Sequence, residues 1–119
     1  MEKLKVLLVD DEEEFIKALA ERLEIRGIET ILAFDGEYAL QMIAEKQPEV
    51  MMLDLKMPGI DGMEVLRRVR RSHPRVQVIM LTGHGSELDQ QEALRLGAFA
   101  YLQKPVHLDS LVQTMKAAR

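Results

Sequence analysis

The sequence predicts an α/β fold of the doubly wound type, in which helices cover both faces of a five-stranded parallel sheet. Short apolar runs alternate five times with longer amphipathic segments along 119 residues, a length that suits one domain. Right-handed crossovers then favour the strand order 2-1-3-4-5 and a three-layer (βα)5 sandwich. The predicted strands are Lys5–Val9, Glu29–Phe34, Val50–Leu53, Val76–Leu81 and Phe99–Leu102.

The segments between these runs predict helices, because their apolar residues recur at helical spacing. The predicted helices are residues 12–26, Tyr38–Glu45, residues 63 to about 71, Glu87–Leu96, and a last helix marked by Leu108, Leu111, Val112 and Met115. The inward faces of the first three carry Phe15, Ile16, Leu19 and Leu23, then Ala39, Leu40 and Ile43, then Met63, Leu66 and Val69. Gly27 stands where the end of a helix favours a left-handed residue.

Composition excludes several classes of protein. The chain has no Cys, which removes disulfide scaffolds, Cys nucleophiles and Cys-ligated metals. Twenty acidic residues against 16 Lys and Arg give a net charge of −4, which disfavours general attraction to nucleic acid. The apolar runs are too short to span a membrane, and no secretory signal precedes the first strand. We therefore expect one soluble, cytoplasmic domain over residues 1–119, with no output domain visible.

Polar side chains follow the predicted strands at their carboxyl ends. Asp10 and Asp11 come directly after strand 1, Asp54 after strand 3, Thr82 after strand 4, and Lys104 after strand 5. Ligands of doubly wound sheets bind at this edge, where strands 1 and 3 are neighbours and the chain reverses direction. The sequence therefore predicts a binding site built from these five residues.

Three crowded carboxylates repel one another, so at neutral pH they require a cation or a raised pKa. An all-oxygen cluster suits Mg²⁺, while a lysine and a hydroxyl add donors for an anion. A cation site with anion donors around a carboxylate is what phosphoryl transfer to that carboxylate requires. Alternatively, each Asp is a polar residue at a strand end or the N-cap of the following helix.

The sequence resembles the receiver domain of two-component response regulators, the CheY-like superfamily with a flavodoxin-like fold. The resemblance covers essentially the whole chain, and the matching segments occur in order at the predicted strand ends. They are Val9-Asp10-Asp11-Glu12, Leu53-Asp54-Leu55-Lys56-Met57-Pro58-Gly59-Ile60-Asp61-Gly62, Leu81-Thr82-Gly83 and Tyr101-Leu102-Gln103-Lys104-Pro105.

This resemblance implies roles for eight of the matching residues. Asp54 would accept a phosphoryl group, and Thr82 and Lys104 would hold its remaining oxygens. Asp11 and Asp54 would ligate Mg²⁺, or another divalent cation, directly, with Asp10 acting through water and the backbone carbonyl of Lys56 as a further ligand. Tyr101 would be a switch residue that turns inward when Thr82 moves, and a cis peptide bond would precede Pro105.

The resemblance also implies partners. A sensor histidine kinase or phosphotransfer protein would supply the phosphoryl group, and the face formed by helix 4, strand 5 and helix 5 would control an output domain or downstream protein. The domain would catalyse only its own phosphorylation and dephosphorylation and would not itself bind nucleic acid or membrane. The resemblance leaves open whether phosphorylation produces a homodimer. The stretch Leu81-Thr82-Gly83-His84-Gly85-Ser86 resembles receivers attached to nitrogen-regulation-type transcription activators.

Three other functions compete with this interpretation. A haloacid-dehalogenase-type phosphatase needs a second acid two residues after its nucleophile, where this chain has Lys56. A flavodoxin-type flavin module needs a phosphate cradle after strand 1, where acidic residues repel phosphate. A degenerate receiver that acts as a phosphorylation-independent interaction domain is the third, and the complete set of five site residues argues against it.

Overall fold

The computed structural model describes residues 2–119 and contains five strands and five helices in strict alternation. The elements are β1 (Lys5–Val9), α1 (Glu13–Ile25), β2 (Glu29–Ala33), α2 (Gly36–Lys46), β3 (Val50–Leu53), α3 (Gly62–Ser72), β4 (Gln77–Thr82), α4 (Glu87–Arg95), β5 (Ala100–Gln103) and α5 (Leu108–Ala118). In the described part of the chain, no helix has the length and apolar character needed to cross a membrane.

All neighbouring strands pair in parallel, and their order is β2-β1-β3-β4-β5, which confirms the predicted fold class. Alternate side chains of each strand enter opposite cores, as the pleat of a strand requires. In β1, Leu7 and Val9 pack with α2, α3 and α4, whereas Val6 and Leu8 pack with α1 and α5. The sheet is thus the middle layer of three, and its strands are continuously apolar because both faces are covered.

Helix α2 begins at Gly36, two residues before the predicted start, because Asp35 accepts a hydrogen bond from the backbone N–H of Tyr38. The buried face also differs from the predicted one. Met42 occupies the core, whereas Leu40, predicted to be buried, is only partly covered. In α3 the buried residues are Gly62, Val65, Leu66 and Val69, and the predicted Met63 is only partly buried.

Helix α4 makes few buried contacts with the sheet. Ala93 is its only fully buried residue, while Leu88 is 75% exposed. Its first turn is held by a capping box in which Ser86 accepts from the N–H of Asp89 and Asp89 accepts from the N–H of Ser86. The capping box therefore adds local hydrogen bonds to a helix with little core packing.

Candidate functional site

Asp10 and Asp54 lie next to each other at the carboxyl ends of β1 and β3. The two strands pair with Val9 opposite Leu53, and the ladder continues with the N–H of Asp54 donating to the carbonyl of Val9 at 3.0 Å. Both carboxylates are buried, with 0% and 2% of their surface exposed. Strand pairing therefore places two carboxylates side by side in a region with little access to water.

Lys104 enters this region from the segment after β5. Its ammonium donates at 2.8 Å to Asp10 and at 2.8 Å to Glu12, and its own N–H donates to the carbonyl of Thr82. The Lys104–Pro105 peptide bond is cis. The ammonium also lies 4.3 Å from the centre of the Phe15 ring, close enough for a cation–π interaction.

Two effects shift the pKa of Asp10 in opposite directions. Burial raises the pKa of Asp10 above its usual value, while the hydrogen bond from Lys104 works in the other direction. For Lys104, burial would lower the pKa, but hydrogen bonds to Asp10 and Glu12 outweigh burial and raise it. Lys104 is consequently charged at neutral pH and compensates for the acidic side chains around it.

The loop after β3 fixes the orientation of Asp54. The N–H of Leu55 donates to Oδ1 of Asp54 at 2.8 Å, and no group in residues 2–119 donates to Oδ2. The loop returns so closely that a Cβ on Gly62 would overlap the carbonyl of Asp54, while the N–H of Gly62 bonds the carbonyl of Leu55. Asp61 caps α3, and the side chain of Lys56 points to solvent from the same loop.

Thr82 ends β4 and is fully buried, with its hydroxyl accepting a hydrogen bond from the N–H of His84 at 3.2 Å. Tyr101 on β5 lies opposite Met80, and its ring packs against the core shared with α2, α3 and α4. The hydroxyl of Tyr101 is buried and has no hydrogen-bond partner in the described chain. Burial, together with the charges of Asp89 and Asp54, raises the pKa of Tyr101.

Three acidic side chains come together in a cluster that could hold a cation. Asp10, Glu12 and Asp54 each offer an oxygen, and these oxygens lie within 4.8 Å of one another. Asp11, predicted as a direct ligand, lies outside this cluster with its side chain exposed to solvent. An all-oxygen set with two buried carboxylates fits a hard divalent cation such as Mg²⁺. None of these acidic side chains caps α1, so the capping interpretation does not apply there.

Two residues of this site, Glu12 and Phe15, were not predicted from the sequence. Glu12 is found only through its contact with Lys104, which lies 92 positions later in the chain. Phe15 was predicted on the inward face of α1, but it is only partly buried against the core that α1 shares with α5. Neither has a local signal for the site, because both contacts depend on how the carboxyl end of β5 meets α1.

A cavity of about 690 Å³ lies at the amino ends of the strands, and its lining contains none of these residues. Its lining includes Gln47, His73, Arg75, Gln77 and Arg119. The buried charges and the acidic cluster lie instead at the carboxyl ends of the strands. We therefore place the candidate site at the carboxyl edge.

Comparisons with known proteins identify the family to which the chain is similar. The family model for the response regulator receiver domain matches residues 6–116. A receiver domain protein from Methanospirillum hungatei is 29% identical with a TM-score of 0.93, covering 98% of this chain and 93% of that one. A receiver domain protein from Clostridium thermocellum is 35% identical with a TM-score of 0.91, covering 96% and 92%.

A third solved structure, a response regulator from Burkholderia pseudomallei, is described as carrying a phosphorylated aspartic acid and a calcium ion. It is 28% identical with a TM-score of 0.88, and the match covers 93% of this chain and 65% of that one. The family match covers nearly the whole of this chain, and the structural matches share its five-stranded sheet. The chain belongs to the response regulator receiver domain family, which is a family of signalling domains.

Proposed function

We propose that this receiver domain accepts a phosphoryl group on Asp54 in a step that depends on a divalent cation, and that the modification alters the face formed by α4, β5 and α5. One observation carries the proposal. The buried carboxylate of Asp54 lies beside a second buried carboxylate, Asp10, which is paired with the ammonium of Lys104 at 2.8 Å.

Asp54 is suited to be the nucleophile. The N–H of Leu55 holds Oδ1, which leaves Oδ2 as the oxygen free to attack. In the transfer, a bond forms between phosphorus and this oxygen while the bond from phosphorus to the donor nitrogen breaks, and the electron pair leaves with the donor. A carboxylate and a phosphoryl group repel each other, so the step needs positive charge around both.

The chain supplies part of that charge itself. Lys104 is bound to two carboxylates, one of them on the exposed side chain of Glu12, whose contact with Lys104 is easily exchanged. We expect Lys104 to release Glu12 and donate to a phosphoryl oxygen, and the hydroxyl of Thr82 to donate to another. We place Asp10, Asp11, Asp54 and the carbonyl of Lys56 around the divalent cation. When bound, the cation neutralises the phosphoryl oxygens.

The response would pass through Thr82 and Tyr101 to the α4–β5–α5 face. Thr82 ends β4 beside the site, and Tyr101 is on the neighbouring strand β5. Helix α4 has only Ala93 fully buried, so a change in the loop before it meets little resistance from packing. Such a face is the part of this molecule best suited to report on the state of Asp54.

Partners follow from family membership and chemistry. We propose that a histidine kinase or phosphotransfer protein donates the phosphoryl group. An output domain or downstream protein would then respond to the modified domain, and dimerisation on phosphorylation is a further proposed outcome. The net charge of −4 opposes direct contact with nucleic acid. A cytoplasmic location and control of transcription belong to the same proposal. The phosphorylated aspartic acid described for the Burkholderia pseudomallei structure supports the proposed phosphorylation of Asp54.

Intact mass spectrometry after incubation with acetyl phosphate tests the proposal. We expect the gain of one phosphoryl group that requires Mg²⁺ and is abolished by Asp54→Asn. Asp61→Asn is the matched control, because it changes another Asp of the same loop and Asn still caps a helix. A mass gain that persists in Asp54→Asn would assign the acceptor elsewhere. No gain in the wild type, together with no effect of Mg²⁺ on stability, would favour the degenerate, phosphorylation-independent receiver.

A further inference from the structure

The hydroxyl of Tyr101 occupies the space that a side chain on Gly85 would fill. A Cβ built on Gly85 would overlap the Tyr101 oxygen and would lie 2.9 Å from Cζ of the ring and 3.0 Å from Cγ2 of Thr82. We call this space the Gly85 slot. It is bounded by the loop before α4, by the buried Thr82 and by the end of the Tyr101 ring.

The backbone does not explain the glycine at this position. Gly27, Gly59 and Gly97 have positive φ angles, whereas Gly85 does not, so its backbone suits an L-residue. Gly83, two residues earlier, would place a Cβ at ordinary contact distance, 3.8 Å from the Lys104 side chain. Within this loop, therefore, Gly85 is distinguished by the neighbour that fills its side-chain space.

The tyrosine is the neighbour that can move. Thr82 is part of β4 and fully buried, whereas Tyr101 is only half-buried and can swing about two side-chain torsions. Its hydroxyl has no hydrogen-bond partner in residues 2–119, so no specific bond holds it in the Gly85 slot. The position of the hydroxyl therefore depends on the room left by the missing side chain of Gly85.

We propose that Gly85 is a positioning residue for Tyr101: its missing side chain opens the slot beside Thr82 into which the Tyr101 hydroxyl inserts. The slot brings Tyr101 into contact with the residue that ends β4 at the candidate site. Where it concerns signalling, this inference rests on the proposed function. The placement of the ring does not depend on phosphorylation.

The experiment uses Tyr101 as its own probe. The chain has no Trp and two Tyr, so Tyr38→Phe leaves Tyr101 as the only strongly absorbing and fluorescent side chain. Spectrophotometric titration of this parent should give a Tyr101 pKa above the usual value of about 10, with weak quenching by acrylamide. Tyr101→Phe leaves Tyr38, which is 45% exposed, as the reference for an accessible ring.

Adding Gly85→Ala to the parent should lower the Tyr101 pKa toward 10 and raise its quenching to the level of Tyr38. Gly83→Ala is the matched control and should leave both readouts as in the parent. Equal readouts in the Gly85→Ala and Gly83→Ala proteins would overturn the proposal. So would a parent in which Tyr101 titrates and quenches like Tyr38, and this result is independent of whether Gly85→Ala folds.

A second arm separates this inference from the proposed function. Acetyl phosphate and Mg²⁺ are added to the parent and to its Gly85→Ala variant, and mass and quenching are followed together. We expect both proteins to gain one phosphoryl group, with acrylamide quenching of Tyr101 staying weak in the parent and strong in the Gly85→Ala variant. Absence of the mass gain in both would count against the proposed function and leave the titration result standing. Equal acrylamide quenching of Tyr101 in the two phosphorylated proteins would overturn the role of Gly85.

Discussion

The ammonium of Lys104 lies 2.8 Å from the carboxylate of Asp10, a fully buried side chain 94 residues earlier in the chain. This ion pair joins the end of β1 to the segment after β5, across the ends of β3 and β4. Asp54 lies beside it, with one carboxylate oxygen bonded by Leu55 and the other without a donor in the described chain. The site thus combines a buried carboxylate in an ion pair with an adjacent buried carboxylate that makes no ion pair in the described chain.

Lys104→Ala should lower the free energy of unfolding by about 1–3 kcal/mol at neutral pH, because the buried Asp10 then loses the ammonium that donates to Oδ2 and keeps only the N–H of Glu12 on Oδ1. The loss should shrink as pH falls. Burial raises the folded pKa of Asp10 and Lys104 lowers it, so the variant raises it further. At pH values between the unfolded pKa of Asp10, 3.8, and its higher folded pKa, Asp10 binds more protons in the folded protein than in the unfolded one. The free energy of unfolding therefore declines as pH rises through this range.

Urea unfolding of Lys104→Ala from about pH 4 to about pH 8 checks this prediction. Lys116→Ala is the control, since Lys116 is exposed on α5 and makes no ion pair within residues 2–119. A Lys104→Ala protein as stable as Lys116→Ala at neutral pH would show that Asp10 does not need the ammonium.

Asp54→Asn should stabilise the metal-free protein by about 1 kcal/mol, because it removes one of two adjacent buried charges. The amide keeps an oxygen for the N–H of Leu55 and places its NH₂ where Oδ2 has no donor. Mg²⁺ should reverse the order, since a cation at 100 times its Kd adds about 2.7 kcal/mol to the wild type alone. Thermal unfolding with chelator and with Mg²⁺ measures both effects, and equal Mg²⁺ shifts in the two proteins would contradict the prediction.

Asp11→Asn and Glu12→Gln distinguish the ligand implied by family resemblance from the acid found in the cluster. We expect Asp11→Asn to weaken Mg²⁺ binding about tenfold or more and Glu12→Gln to change it little. Asp11 is exposed and has no partner in the described chain, so its carboxylate can turn to a cation, whereas Glu12 is already bound by Lys104. Calorimetric titration with Mg²⁺ decides, and the reverse ranking would make Glu12 the ligand.

Ser86→Ala should cost about 1 kcal/mol, since it removes the side-chain acceptor for the N–H of Asp89 at the start of α4. Because α4 has only Ala93 fully buried, we expect the loss to appear as faster amide exchange confined to that helix. Ser110→Ala, an exposed Ser in the first turn of α5, is the control. Equal exchange throughout the variant and the wild type would show that packing, and not the capping box, holds α4.

The alternation of apolar runs was enough to predict five strands and five helices, because buried parallel strands have a distinctive pattern. The strand order also required the right-handedness of crossovers and the length of the chain. Boundaries were less accurate. Helix α2 was predicted from Tyr38, since Asp35 and Gly36 are also typical of a turn, and its N-cap at Asp35 is evident only from the hydrogen bond to Tyr38. Strand β4 includes Thr82, which was predicted to follow the strand.

The sequence alone determined which residues reach the carboxyl edge, because each of Asp10, Asp54, Thr82 and Lys104 ends or follows an apolar run. Only the tertiary structure decided which of them touch. Lys104 meets Asp10 and Glu12 rather than Asp54, and Asp11 points to solvent instead of joining the acidic cluster. The insertion of Tyr101 beside Gly85 likewise joins residues from different segments. The physical reason is that strand-end placement follows from local periodicity, whereas pairing between side chains depends on distances across the sheet that no local pattern contains.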